Sequence, residues 1–112
     1  MTSPRDYQDY LADMLEAADK VAGFIHAMTL ETFLEDEKTQ YAVVRGLEII
    51  GEAAKKLPAS VKERYPLVPW RQVAGMRDKL VHDYVGVNTQ VVWKTAAEDV
   101  PAIAAALREV AP

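Results

Sequence analysis

The chain has 112 residues, of which 50% are hydrophobic and 27% charged, with a formal net charge of −4 and no cysteine. This length predicts a single domain over residues 1–112, and the composition is typical of a soluble globular protein. The lack of cysteine excludes disulfides and zinc–thiolate sites, and because neither a secretion signal nor a membrane-spanning apolar run is visible, we expect a cytoplasmic protein.

The first half of the chain predicts two long helices, because its apolar residues recur every three or four positions. The first runs from about Pro4 to Ala27, and the second begins at Glu35 and is stopped by Pro58. Gly46 and Gly51 lie inside the second helix, where each glycine costs about 1 kcal/mol relative to alanine. We therefore expect another backbone to approach this helix closely at both positions.

The second half predicts one short helix and two further long ones. Ser60 begins a capping-box pattern that starts the short helix, and Trp70 opens the third long helix, where Gly75 indicates tight packing. Asn88 is a favourable N-cap for the last helix, which Pro101 should kink because proline lacks a backbone donor. No useful length of chain alternates with a period of two residues. We predict an all-α fold, an up-and-down four-helix bundle with a short extra helix.

The charged residues are unevenly distributed along the chain. Residues 1–54 carry 11 acidic and 4 basic side chains, residues 55–79 carry 2 acidic and 7 basic, and residues 80–112 carry 4 acidic and 2 basic. The basic middle is either an ordinary solvated surface or a local patch that receives phosphates. The sequence leaves both interpretations open.

The segment Gly75–Tyr84 places an arginine, a histidine and a tyrosine within an apolar helical pattern. Arg77 lies on the stripe that should be buried, although its guanidinium cannot lose its charge, so it either reaches back to water or faces an anion. Arg77 and His82 are separated by about 140° around a straight helix and by roughly 7.5 Å along it. A site that uses both therefore needs the helix to end near His82, or a second copy of the chain.

Two acidic residues are candidates to support this pair. Asp78 lies one helical turn before His82 and could hold its ring and favour the cationic form. Glu48 and Glu52 share one side of the second helix, which is either a solvated face or the source of a carboxylate that orients Arg77. Arginine suits the negative charge of phosphoryl transfer and histidine suits proton transfer, so metal-independent RNA cleavage is permitted. No carboxylate cluster of the magnesium-binding type surrounds the motif, and we expect neither metal nor cofactor.

The pattern Arg77-x4-His82-x-Tyr84, with an acid directly after the arginine, resembles the signature of the HEPN ribonuclease superfamily. More narrowly, it resembles the HepT toxins of bacterial and archaeal toxin–antitoxin pairs. The similarity extends in the same order to further segments, at residues 47–57, 69–71, 86–88 and 92–94. It therefore covers nearly the whole chain.

The resemblance implies a metal-independent endoribonuclease that is the toxin of a type VII-like toxin–antitoxin pair. Arg77 and His82 would be catalytic, would cut an RNA substrate to a 2′,3′-cyclic phosphate, and would line a cleft shared by a homodimer. The family also implies a partner, a minimal nucleotidyltransferase antitoxin that transfers AMP from ATP to Tyr84. That modification would add negative charge and bulk at the site and so compete with RNA.

Two other interpretations of the bundle stay open. It could be a non-catalytic nucleotide- or substrate-binding subunit of a nucleotidyltransferase. It could instead be a structural dimerisation domain, in which Arg77 and His82 form a buried ion-pair network with Asp78 and Glu52. No constellation of residues in the sequence indicates which RNA would be cleaved.

Overall fold

The structure is a computed structural model that describes residues 6–82 and 88–110, without the side chains of Val81, His82 and Val110. Within these ranges the chain forms helices and turns and no strand, which confirms the predicted all-α bundle. In chain order the helices are α1 (Tyr7–Phe24), α2 (Leu30–Leu34), α3 (Glu37–Lys56), α4 (Ala59–Lys62), α5 (Trp70–His82), α6 (Thr89–Lys94) and α7 (Val100–Val110), with a π-helical segment (Thr95–Asp99) between α6 and α7.

Local capping decides where the first helix begins and ends. The Asp6 side chain accepts a hydrogen bond from the backbone of Gln8, and Asp6 with Asp9 completes a capping box, so α1 begins three residues after Pro4. At the other end, Ala27 has a left-handed backbone conformation with φ of 63°, which an α-helix cannot continue. The prediction that this helix runs from Pro4 to Ala27 was therefore too long at both ends.

Of the N-caps predicted for two later helices, the structure confirms one and contradicts the other. Asn88 caps α6 as predicted, since its side-chain oxygen accepts a hydrogen bond from the Gln90 backbone at 2.8 Å. The capping box predicted at Ser60 is wrong, because Ser60 lies inside α4. The residue at the N-cap position is Pro58, which makes no side-chain capping bond. Its restricted backbone angle suits the start of a helix without one.

Helix α3 lies at the centre of the bundle. Helices α1 and α5 pack along two different sides of it, α2 and α6 also contact it, and α7 packs on α1. The largest side chains that are almost fully buried come from four of these helices: Met14, Val21, Phe33, Val43 and Val100. The core therefore joins both ends of the chain to α3.

Two glycines of α3 make these close approaches possible. A Cβ atom added at Gly46 would lie 2.5 Å from Cγ2 of Val21 on α1. A Cβ at Gly51 would overlap the Cβ of Arg77 on α5 and lie 2.7 Å from its Cγ. The expected close packing at Gly46 and Gly51 is thus observed. The same expectation for Gly75 is wrong within one protomer, because nothing lies within 4 Å of a Cβ added there.

The helix predicted at the end of the chain consists of α6, the π-helical segment and α7, and its irregular part precedes Pro101. Proline has no backbone N–H, and its ring collides with the carbonyl group four residues earlier, at Ala97. Ala97 belongs to the π-helical segment, in which the backbone is wider than an α-helix. Such a segment relieves the crowding and commonly accompanies a bend. The π-helical segment would account for a kink at Pro101, and the kink itself stays a prediction.

We expect Gly51→Ala to lower the free energy of unfolding by roughly 1–3 kcal/mol, because α5 must move away from α3 to admit the methyl group. Gly23→Ala is the matched control, since Gly23 is also helical but nothing lies within 4 Å of an added Cβ. That alanine should leave stability unchanged or raise it by up to about 1 kcal/mol. Thermal unfolding followed by circular dichroism measures both variants. Equal melting temperatures would contradict the packing described.

Candidate active site

The contact between α3 and α5 positions Arg77. Because Gly51 has no side chain, the Cβ and Cγ atoms of Arg77 rest against its backbone. The Arg77 side chain keeps 22% of its surface exposed. Its aliphatic part is therefore used in packing, while its charged end stays accessible from solvent.

The guanidinium of Arg77 is only partly satisfied by its neighbours. Nη1 donates a hydrogen bond to Oδ1 of Asp78 at 3.3 Å. Nη2 lies 3.8 Å from Oε1 of Glu52, which is an ion pair too long for a hydrogen bond. Nε is buried and has no hydrogen-bond partner among the described residues. A guanidinium has five N–H donors, so this group retains capacity to bind an anion.

Asp78 links Arg77 to a second cation. Its Oδ1 also accepts a hydrogen bond from Nζ of Lys55 on α3, at 2.7 Å. The hydrogen bond from the Lys55 ammonium is the main cause that lowers the pKa of the Asp78 carboxyl below its ordinary value. Burial opposes this by raising the pKa, and the Arg77 guanidinium lowers it further. Asp78 is therefore ionised at neutral pH, and one carboxylate oxygen is shared by two cations.

The structure separates the two glutamates that the sequence left equivalent. Glu48 pairs with Arg45 on its own helix at 3.4 Å, whereas Glu52 faces Arg77 across the α3–α5 contact. Both predicted supporting residues, Glu52 and Asp78, thus lie beside Arg77.

The histidine and tyrosine of the motif lie outside this description. The His82 backbone belongs to α5, but its side chain is outside the described residues, as is all of Tyr84. The suggestion that Asp78 holds the His82 ring therefore stays a prediction. The observed partners of Asp78 are Lys55 and Arg77.

The cluster around Arg77 is not a buried ion-pair network among the residues described. The Glu52 and Asp78 side chains are 44% and 49% exposed. Exposed ion pairs contribute little to folding stability because water screens them. The structural interpretation requires a buried network, and the described part of the cluster does not provide one.

Comparison with known proteins identifies the family of this chain. A family model described as "Ribonuclease HepT-like" matches residues 14–110. The chain belongs to the ribonuclease HepT-like family. The resemblance carried by Arg77, His82 and Tyr84 is confirmed at that level.

Three relatives show the extent of the similarity. "Probable ribonuclease HepT" of Thermococcus cleftensis is 50% identical over 99 residues, 88% of this chain and 90% of that protein. A protein of Methanocaldococcus jannaschii named as a candidate RNase is 46% identical over 88% of this chain and 82% of its own length. Another candidate RNase, of Caldanaerobacter subterraneus subsp. tengcongensis, is 37% identical over 98% of this chain and 96% of that protein. No solved structure gave a significant match.

In this HepT-like chain Trp70 anchors the start of α5. Its indole Nε1 donates to the backbone carbonyls of Lys62 and Tyr65, each at 3.1 Å. The Lys62 ammonium lies 5.9 Å from the centre of the ring. Trp70 is therefore held by its own chain, and it fixes the segment before α5 against the beginning of the motif helix.

The basic middle of the HepT-like chain is not a single solvated surface. Lys55 is bound to Asp78, Lys62 lies over Trp70 and Arg64 lies over the ring of Tyr7 at 5.9 Å. The remaining exposed cations of the basic middle outside the motif cluster are Lys56, Arg71 and Lys79. Some of these cations therefore contact side chains of their own chain, while the other three lie exposed on its surface.

Two further properties concern only the residues that the structure describes. No group of three or more His, Cys, Asp or Glu side chains in residues 6–82 and 88–110 is arranged to hold a metal ion. None of the helices in this part of the chain is both long and apolar enough to cross a membrane.

Sequence reasoning missed Lys55 as a member of the site. In the sequence it is one charge of the basic middle, although it lies one helical turn after Gly51 and so on the same face of α3. The expected close packing at Gly51 could have indicated that Lys55 faces α5. Its partner could not have been found without knowing how α5 is turned.

Proposed function

We propose that this protein is a metal-independent endoribonuclease and the toxin of a type VII-like toxin–antitoxin pair that acts in the cytoplasm. The observation that carries the proposal is the partly exposed Arg77, whose guanidinium is held at its stem and incompletely paired at its charged end. Membership of the ribonuclease HepT-like family and relatives named as ribonucleases support RNA as the substrate.

The proposed reaction is transfer within the RNA backbone. The 2′-oxygen of one nucleotide attacks the adjacent phosphorus and loses its proton, while the bond from phosphorus to the 5′-oxygen breaks and that oxygen gains a proton. His82 suits these proton transfers because imidazole titrates near neutral pH. Arg77 suits the extra negative charge on the phosphate in the transition state. The products are a 2′,3′-cyclic phosphate and a free 5′-hydroxyl, and these steps need no metal ion.

We propose that the active form is a homodimer. Arg77 and His82 are about 140° apart on one helix, so side chains from two copies of α5 complete the cleft more readily than those of one. The glycines of α3 are not available for this contact because Gly46 and Gly51 already pack on α1 and α5.

Purified protein should cleave single-stranded RNA in the presence of EDTA, and Arg77→Met and His82→Ala should each slow cleavage by about a hundredfold or more. Methionine keeps the stem that packs on Gly51 and removes only the charge. Arg45→Met is the matched control, because Arg45 is also on the surface and paired with a glutamate. It should retain activity.

Other results of this experiment would favour other functions. If both motif variants unfold, the structural interpretation gains support. If the wild-type protein binds ATP or a nucleotidyltransferase but leaves RNA intact, it is a binding subunit.

Mixing the two inactive variants tests the shared cleft. A heterodimer of an Arg77→Met protomer and a His82→Ala protomer contains one arginine and one histidine, which come from different protomers. After unfolding and refolding together, the mixture should recover a sizeable fraction of wild-type cleavage, measured against each variant refolded alone. No recovery, with mixed dimers verified by mass spectrometry, would contradict a site shared between protomers.

We further propose that a minimal nucleotidyltransferase antitoxin neutralises the toxin at Tyr84. The phenolic oxygen attacks the α-phosphorus of ATP, pyrophosphate leaves, and the phenolic proton passes to a base. The bound AMP places a negative phosphodiester and a nucleoside beside the motif, where they compete with RNA.

Tyr84→Phe should retain RNA cleavage but should not gain the mass of AMP when incubated with the antitoxin and ATP, because it lacks the accepting oxygen. Tyr41→Phe is a control, since Tyr41 is an exposed tyrosine outside the motif, and it should still be modified. Intact-protein and peptide mass spectrometry locate the group. AMP on any other residue would refute the assignment.

A further inference from the structure

Two cations from different helices converge on one oxygen at the candidate active site. Lys55 of α3 donates to Oδ1 of Asp78 at 2.7 Å, and Arg77 of α5 donates to the same atom at 3.3 Å. Proteins commonly bind a phosphate oxygen in the same way, with a lysine and an arginine that both donate hydrogen bonds to it. The carboxylate therefore occupies the kind of position that a ligand phosphate would take.

The Lys55–Asp78 pair is accessible to such a ligand. The two side chains are 41% and 49% exposed, so water already competes for them. A pair of this exposure adds little to folding stability, and a phosphate that replaces the carboxylate costs the protein little. Lys55 could instead serve only to balance the negative end of the α3 dipole, but Lys56 occupies the same last turn and would do so equally.

The charges around Arg77 cancel in the free protein. Lys55 and Arg77 contribute two positive charges, and Glu52 and Asp78 contribute two negative ones. An incoming RNA phosphate must therefore compete with a carboxylate for the same donors. Nη2 of Arg77 lies 3.8 Å from Oε1 of Glu52, too far for a hydrogen bond, so it is a donor that these two carboxylates leave for a phosphate.

We propose that Lys55 is a second phosphate-binding residue of this site. Asp78 holds Lys55 in place in the free protein, and an RNA phosphate then replaces the Asp78 carboxylate as the partner of both Lys55 and Arg77. This inference rests on the proposed function, since it names a further substrate contact of the same site. Lys55 then acts in binding the RNA backbone, and it contributes to affinity rather than to the proton transfers.

In this arrangement the Asp78 carboxylate lowers the affinity of the site for RNA. Because it competes with the phosphate, Asp78→Asn should tighten RNA binding by a few fold. If Asp78 served only to hold the His82 ring, the same substitution would slow cleavage and leave RNA affinity unchanged. Measuring the dissociation constant and the cleavage rate separately distinguishes the two roles.

The test uses a fluorescent single-stranded RNA with 2′-O-methyl riboses, which the proposed reaction cannot cut because its nucleophile is blocked. Anisotropy titrations at several salt concentrations give the dissociation constant and its salt dependence. Lys55→Gln should weaken binding roughly three- to tenfold and reduce the slope of log K against log salt by about 0.7 for each phosphate that the variant no longer neutralises. Lys56→Gln is the matched control, and its effect should stay within about twofold.

Lys55→Arg keeps the charge and should restore wild-type affinity, which separates loss of charge from loss of fold. Similar effects of Lys55→Gln and Lys56→Gln would overturn the proposal, as would an Asp78→Asn variant that binds RNA no more tightly than wild type. If unmodified RNA is bound but not cleaved, the enzymatic function fails while the Lys55 comparison still decides this inference. A wild-type protein that binds no RNA would overturn both.

Discussion

The contact between Gly51 and Arg77 is the constraint on which the candidate site depends. A glycine in the middle of α3 weakens the helix by about 1 kcal/mol, and the close approach of α5 offsets that cost. The approach brings the stem of an arginine, rather than an aliphatic residue, against the α3 backbone. The same contact therefore packs two helices and fixes the direction of a permanent positive charge.

The partial exposure of the cluster follows from the cost of burying ions. A fully buried guanidinium would require complete pairing, because desolvation of an unpaired ion costs several kcal/mol. Arg77 avoids that cost by burying its stem and one nitrogen while leaving its fork near solvent. The carboxylates of Glu52 and Asp78 neutralise it without sealing it. A cluster built in this way needs no ligand to be neutralised, and its carboxylates stay in contact with water.

The arrangement is compatible with the proposed binding of a polyanion by a chain with a net negative charge. The net charge of −4 is spread over the whole chain, but the side chains that face the α3–α5 contact balance one another locally. In the proposed function, affinity for phosphate depends on how many donors can exchange a carboxylate for a phosphate, rather than on overall charge. Electrostatic attraction falls off over about 10 Å at moderate ionic strength, so acids that lie farther than this from the cluster matter little there.

Much of the fold and part of the site followed from sequence alone. Helical periodicity and the N-cap at Asn88 could be predicted because each depends on neighbouring residues along one helix. The glycines inside α3 indicated that another backbone comes close at Gly46 and Gly51, but not which one. The boundaries of α1 were predicted wrongly, since Asp6 caps the helix although Pro4 would also suit a first turn. The residues around Arg77 indicated the family through their order and spacing along the chain.

The tertiary structure alone decided which residues meet. The rotation of α5 about its axis and its height along α3 bring Glu52 rather than Glu48 to Arg77, and they add Lys55 through Asp78. The same rotation leaves Gly75 facing open space. Spacing along one helix defines the faces of that helix, but it contains no information about which face of another helix lies opposite. That choice is made by the packing of all the helices together.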